Sequence, residues 1–224
     1  MKKRNKFYIY LFRHGQTVFN KKHIFTGWHD SRLTPLGVMQ ARKIARKLQS
    51  KKIGIAIQTR LSRSGDSLHE VLQFHPECRR IITDNRIIER NYGKLNGVSH
   101  KEFIRKIGKR EYDLLKEGDA IENLSFNDRK KVEKLLGEKE FEAIHRGYSI
   151  RPPGGESFAD VEKRVSSFIK DLKKLIKKEK TNVVISAHGN SIRLFRKIME
   201  RKSRDEATRW FIPFDKVFVY SIAA

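Results

Sequence analysis

The 224 residues suffice for one moderately large domain with a substantial core, and the formal charge of +24, from 50 Lys and Arg against 26 Asp and Glu, is expected to draw anionic partners. Most of that charge reads as a lysine-rich solvated surface, which leaves a few cations for phosphorylated metabolites or nucleic acid. The single Cys78 excludes an intramolecular disulfide framework and fits a reducing, cytoplasmic setting. No apolar run approaches the roughly 18 residues of a membrane span, and Phe7 to Phe12 is too short and too strand-like for a signal peptide.

Phe7-Tyr8-Ile9-Tyr10-Leu11-Phe12, bounded by Lys6 and Arg13, reads as a strand buried on both faces of a parallel sheet. The chain then turns at Gly15, and a helix is expected to start near Gln16 or Thr17. The loop Lys21 to Leu33 carries Ile24-Phe25-Thr26-Gly27-Trp28, an aromatic wall around a small hydroxyl and a backbone N–H, although a plain hydrophobic anchor would have the same composition. Thr34 as cap and Pro35 at the first position start a helix with Leu36, Met39, Ile44, Ala45 and Leu48 as its apolar positions. Ile53 to Gln58 reads as a strand, Thr59 to Phe74 as a helix opening with Arg60 and Arg63, and Arg80 to Thr83 as a third strand. A loop dense in polar groups follows, Ile87-Ile88-Glu89-Arg90-Asn91-Tyr92-Gly93.

From about Ser99 to Gly147 the pattern is charged and helical, and it repeats: the stretch from Ile107-Gly108 to Leu115 resembles the one from Leu136-Gly137 to Ile144. Two copies are too few for a solenoid, so a helical insertion at about 109–136 is expected within a single domain spanning 1–224. Arg151-Pro152-Pro153-Gly154-Gly155-Glu156-Ser157 breaks the helix, and Ser157 caps another whose apolar positions run from Val161 to Ile176. Val183-Val184-Ile185 is a buried strand that leads into Ser186-Ala187-His188-Gly189-Asn190-Ser191 and a helix over Ile192 to Met199. Val217 to Tyr220 is an edge strand that could run antiparallel.

Two of the eight histidines stand apart. His14 and His188 each close a hydrophobic strand, each precedes Gly and a helix, and parallel strands would bring both to the sheet edge where ligands bind. A zinc site needs three or four ligands, and neither histidine has an HxH, HxxxH or Cys companion. Arginines are the companions instead, since Arg13 and Arg63 can hold phosphate oxygens in a bidentate manner. The pattern points to phosphoryl transfer at His14, without a metal.

The stretch Leu-Phe-Arg13-His14-Gly15-Gln-Thr-Val-Phe-Asn20 resembles the hallmark of the histidine phosphatase superfamily, and Ser186-Ala-His188-Gly189-Asn190-Ser191-Ile-Arg resembles its second histidine motif. Phe25-Thr26-Gly27-Trp28, Glu89-Arg90-Asn-Tyr92-Gly93-Lys-Leu-Asn-Gly97 and Pro152-Pro153 to Glu156-Ser157 are similar to the cofactor-dependent phosphoglycerate mutases. The resemblance implies a three-layer α/β/α sandwich with a mostly parallel sheet. It implies a phosphohistidine at His14, a phosphoryl group held by Arg13, Arg63 and His188, and Glu89 as proton donor and acceptor. It places substrate contacts at Asn20, Thr26, Gly27, Arg90, Tyr92, His100, Lys101, His145, Arg146, Gly189 and Asn190. The implied activity is interconversion of 3-phosphoglycerate and 2-phosphoglycerate in glycolysis and gluconeogenesis, primed by 2,3-bisphosphoglycerate.

This chain departs from the mutase pattern at several places. His100 stands where the family has lysine, with Lys101 adjacent, and His145-Arg146 replaces a pair of arginines. Ile212-Pro213-Phe214-Asp215-Lys216 replaces the usual turn before the last strand, and the chain stops at Ala224 without the long tail of many mutases, which would admit water to the phosphohistidine. A metal-independent phosphatase of small phosphomonoesters is therefore the rival expectation. A basic protein binding nucleic acid or polyphosphate on a degenerate scaffold is a more distant one. The expected partners are a small phosphorylated substrate and at most a second copy of the chain as a homodimer, with nucleic acid disfavoured and no membrane.

Overall fold

The computed structural model describes residues 6–118, 120–121 and 124–223, so residues 119, 122 and 123 of the expected insertion, and Ala224, lie outside the described residues. Strand β1 (Lys6–Arg13) occupies the interior of a sheet with β2 (Ile55–Gln58), β3 (Arg80–Thr83), β4 (Val183–Ala187) and β5 (Val217–Ala223), in the order β3-β2-β4-β1-β5. β1 to β4 run parallel, and β5 pairs with β1 antiparallel.

Alternation along β1 divides its side chains between two cores. Ile9 and Leu11 join Val183, Ile185 and the apolar stripe of α6 (Phe158–Glu179) and α7 (Gly189–Glu200) on one face. Tyr10 and Phe12 join Val184 and the buried residues of α2 (Pro35–Leu48) and α3 (Ser62–Leu72) on the other. Helices thus cover both faces, which is why the parallel strands read as unbroken apolar runs. Among the described residues no helix is long and apolar enough to cross a membrane.

The structure moves several expected boundaries. The helix expected near Gln16 is a single turn, α1 (Val18–Lys21), whose Thr17 cap and Asn20 satisfy each other's N–H groups. The α2 core stripe is Gly37, Ala41, Ile44, Ala45 and Leu48, so Leu36 and Met39 fall beside it and are 44% and 54% exposed. α3 begins at Ser62, because Thr59 stays outside the helix and turns its hydroxyl to His188. β5 extends to Ala223 because every residue from Val217 to Ala223 finds a register partner in β1.

The charged segment forms two long helices, α4 (His100–Glu117) and α5 (Phe126–Arg146), packed on one another. The sequence repeat marks their crossing. A β-carbon added at Gly108 would lie 1.8 Å from the Glu133 carbonyl oxygen, and one at Gly137 would lie 2.0 Å from that of Ile104. Each glycine admits the other helix's backbone, so the two similar stretches are the two halves of one close contact. From this hairpin Phe103, Phe141 and Ile144 pack on Phe25 and Tyr92, which carries His100 and His145 toward the carboxyl edge of the sheet. A short helix α8 (Arg204–Arg209) and a strap over 210–216 that turns at Phe214–Asp215 complete that edge.

Candidate active site

Parallel pairing of Arg13 with Ala187 brings the next residues out of the sheet together, and the His14 N–H donates to the Ala187 carbonyl at 3.1 Å. The imidazoles of His14 and His188 lie 5.0 Å apart, centroid to centroid, and are 2% and 0% exposed. His14 Nδ1 lies 2.7 Å from the Gly15 carbonyl oxygen. A carbonyl only accepts, so Nδ1 carries the proton and Nε2 keeps its lone pair. Burial, then the Arg63 and Arg13 charges, hold the His14 pKa well below its usual 6.5. The imidazole is therefore neutral at pH 7 and offers a nucleophilic nitrogen.

Around it stand two arginines anchored from behind, Arg63 buried and Arg13 half-buried. Arg63, 1% exposed, donates to the carbonyls of His29 and Gly27 at 2.9 and 2.8 Å. Arg13 donates to the Ile212 carbonyl at 2.9 Å, and the Phe214 ring covers its guanidinium with 4.0 Å to the centroid. In each guanidinium Nε is buried without a hydrogen-bond partner among the described residues, as is Nδ1 of His188. Buried polar atoms are almost always paired. Polar atoms orphaned together beside a neutral imidazole fit an anion with several oxygens, such as a phosphoryl group.

Glu89, 8% exposed, sits at the amino end of α7. Its Oε1 accepts from the backbone N–H groups of Arg90 and Asn190 at 2.8 and 3.1 Å, which turns Oε2 toward Gly189. Asn190 donates to the Tyr92 hydroxyl at 3.2 Å and accepts from Arg193 at 2.7 Å, so the second histidine motif ties Glu89, Tyr92 and Arg193 into one wall.

The cavity enclosed is about 190 Å³. Of the residues expected from sequence, it is lined by Arg13, His14, Asn20, Thr26, Gly27, Arg63, Glu89, Tyr92, His100, His145, Gly189 and Asn190. His188 stands directly behind His14, held by Thr59 at 2.8 Å.

Three expected contacts lie elsewhere. Arg90 is fully buried outside the cavity and spends its guanidinium on the carbonyls of Ile144, Ile150 and Glu156. Arg146 turns away to the Thr208 carbonyl, 2.7 Å distant, and Lys101 is exposed on the first turn of α4. In the other direction, Arg193 lines the cavity although no role was assigned to it from sequence. The signal was present: on α7 it stands three and four residues after Asn190 and Gly189, the spacing of one helix face. Its pKa falls to about 10, chiefly through burial and then the Arg146 charge.

The wall formed by His100 and His145 is neutral. Burial, followed by the neighbouring His23, pushes His100 down to about 4; burial, then His100 and Arg146, push His145 down to about 3. His188 is likewise held well below 6.5 by burial first and Arg63 next. Folding therefore depresses the pKa of four imidazoles, and below about pH 6.5 the unfolded chain binds more protons than the native one. Stability present above that pH is lost as pH falls. Thermal melts taken from pH 7.5 to 5 are expected to show a falling midpoint, steepest below pH 6.5.

A neutral histidine at the carboxyl edge of a parallel sheet, with arginines and a carboxylate about one small cavity, defines an α/β protein that handles a phosphorylated anion. The chain belongs to the histidine phosphatase superfamily: the family description Histidine phosphatase superfamily (branch 1) matches residues 9–128 and 121–222. It is an enzyme of that superfamily, a mutase or a phosphatase. The chain is 30% identical over 220 residues to the 2,3-bisphosphoglycerate-dependent phosphoglycerate mutase of Mesorhizobium japonicum, covering 96% of this chain and 92% of that one. Its fold matches phosphoglycerate mutase from Bacillus anthracis with a TM-score of 0.70 at 19% identity, over 98% and 89% of the two chains. It also matches the alpha-ribazole phosphatase of Shigella flexneri, with a TM-score of 0.68 at 17% identity over 97% and 94%.

Proposed function

We propose that the enzyme is a phosphoglycerate mutase working through a phosphohistidine at His14. The observation that carries this reading is Arg193, a half-buried cation on the same cavity as Arg13 and Arg63. A phosphorylated hydroxy acid has two anionic ends. The His14 side would take the phosphoryl group, and Arg193, with Asn190 and Tyr92, would take the carboxylate. The volume of about 190 Å³ suits a three-carbon acid, since larger ligands occupy pockets of roughly 300 Å³ and more.

In the proposed reaction His14 Nε2 attacks phosphorus, the P–N bond forms as the ester P–O bond breaks, and the carboxyl group of Glu89 gives its proton to the leaving oxygen. Arg13, Arg63 and His188 offset the charge gathering on the phosphoryl oxygens. The reverse sequence, with Glu89 taking the proton of a different hydroxyl, returns the group to the acceptor. The orphaned donors around His14 and the cation at Arg193 fit 2,3-bisphosphoglycerate, which when bound supplies the phosphoryl group that primes His14.

A second reading, hydrolysis of small phosphomonoesters, is favoured by the neutral imidazole wall of His100 and His145 and by the withdrawal of Arg146 from the cavity. One measurement separates the two: 2-phosphoglycerate and inorganic phosphate quantified together from 3-phosphoglycerate, with and without catalytic 2,3-bisphosphoglycerate. Isomerisation that depends on the bisphosphate and exceeds phosphate release is expected. Phosphate release without 2-phosphoglycerate would replace the mutase by the phosphatase.

A further inference from the structure

Behind Glu89, on the side away from the cavity, Arg164 of α6 makes five hydrogen bonds with one guanidinium. Nε and one terminal nitrogen grip the Glu156 carboxylate at 2.9 and 3.0 Å. The same terminal nitrogen donates to the Glu89 carbonyl at 3.0 Å, and the other donates to the carbonyls of Arg86 and Ile88, both at 2.8 Å. A guanidinium has five N–H groups, so every donor is spent on this loop and its tether. Glu156 passes the grip onward: its Oε2 accepts from the Asn91 N–H at 2.8 Å, and its backbone N–H donates to the Asn91 carbonyl at 2.9 Å. Trp28 Nε1 donates to the same Glu89 carbonyl at 2.8 Å.

We infer that Arg164 is a positioning residue for Glu89, fixing through the 86–91 main chain the point at which the Glu89 carboxyl delivers its proton. The inference rests on the phosphohistidine reading, in which Glu89 is the acid. The Glu89 peptide is held by Arg164 and Trp28, and its side chain by the α7 amino terminus at Oε1, which leaves Oε2 one location beside Gly189. Positioning of this kind matters because a displacement of about 1 Å at a reacting group costs roughly 100-fold in rate. Lysine keeps the charge opposite Glu156 but has one nitrogen and no fork, so it cannot span three carbonyls and a carboxylate.

The test uses two phosphoryl donors that differ in their need for an acid. Phosphorylation of His14 by 2,3-bisphosphoglycerate expels an alkoxide, which must be protonated; acetyl phosphate expels acetate, which leaves without a proton. Single-turnover labelling is measured for wild type, Glu89→Gln, Arg164→Lys and Trp28→Phe. Arg164→Lys is expected to slow labelling by the bisphosphate roughly 10- to 100-fold, with acetyl phosphate labelling within about 2-fold of wild type. Trp28→Phe, which removes one donor from the half-exposed side of the loop, is expected to show the same selectivity more weakly, and its folding does not depend on the Glu156 ion pair.

Equal losses on both donors in Arg164→Lys and Trp28→Phe, or no loss on either, overturn the inference while leaving the acid role of Glu89 intact if Glu89→Gln remains selective. If Glu89→Gln shows no selectivity, the acid assignment itself fails and the inference falls with it.

Discussion

Replacement of His14 by alanine abolishes labelling by any phosphoryl donor and lowers turnover on the order of 10⁴-fold or more, as expected for loss of a covalent nucleophile. The magnitude follows from the site's specialisation. Arg13, Arg63 and Arg193 are cations that cannot attack, Glu89 Oε1 is spent on two backbone N–H groups, and His188 Nε2 is engaged by Thr59. His14 Nε2 is a neutral buried nitrogen whose tautomer is fixed by its own chain neighbour. His188→Ala is the informative companion, because it removes a stabiliser of the phosphoryl group and leaves the nucleophile. It is expected to label slowly, through the same acid-labile bond. Labelling of His14→Ala at the wild-type rate would move the chemistry to another residue. Thermal melts of both variants at pH 7.5 check that the loss is chemical.

Those two histidines could be read from the sequence because everything that places them is local. Each ends an apolar run, and parallel pairing of β1 with β4 does the rest. The same locality made β3 and the capped start of α2 legible. Partner choice over long range was not. Arg90 and Arg193 are the same residue type, each beside a motif, yet one faces three carbonyls from residues 144–156 and the other faces the cavity. Arg193 carries a local mark in its helical spacing from Asn190 and Gly189, whereas Arg90 sits in a loop with no such periodicity. Leu36 and Met39 failed for a related reason, since in the first turns of α2 the small Gly37 and Ala41, and not the larger side chains, face the core. The paired glycines 108 and 137 were visible as a repeat, and their meaning needed the crossing of two helices.

The location of Arg90 leads to the largest expected change in stability. Its Nε and two terminal nitrogens donate to the carbonyls of Glu156, Ile144 and Ile150 at 2.6, 2.7 and 2.8 Å, and its guanidinium lies over the rings of Phe158 and Tyr92, with 4.7 and 5.3 Å to their centroids. Burial lowers its pKa, against the pull of Tyr92 and Glu89, yet the carbonyls give the charge three acceptors. Arg90→Met keeps the apolar stem and takes the donors from those three carbonyls, each worth up to about 1–3 kcal/mol, while relief of a buried charge offsets part of the sum. A net loss of about 3–5 kcal/mol is expected, a fall of roughly 6–20 °C in melting midpoint for a chain of this size. A substrate contact would behave otherwise, raising KM and leaving the midpoint in place. Melts and steady-state kinetics on the same preparation therefore decide whether Arg90 binds the substrate or the backbone that carries Glu89. A changed KM with an unchanged midpoint would return Arg90 to the cavity. The structure predicts the opposite pattern because the same Arg90 that lends its N–H to Glu89 Oε1 anchors the loop to the end of α5.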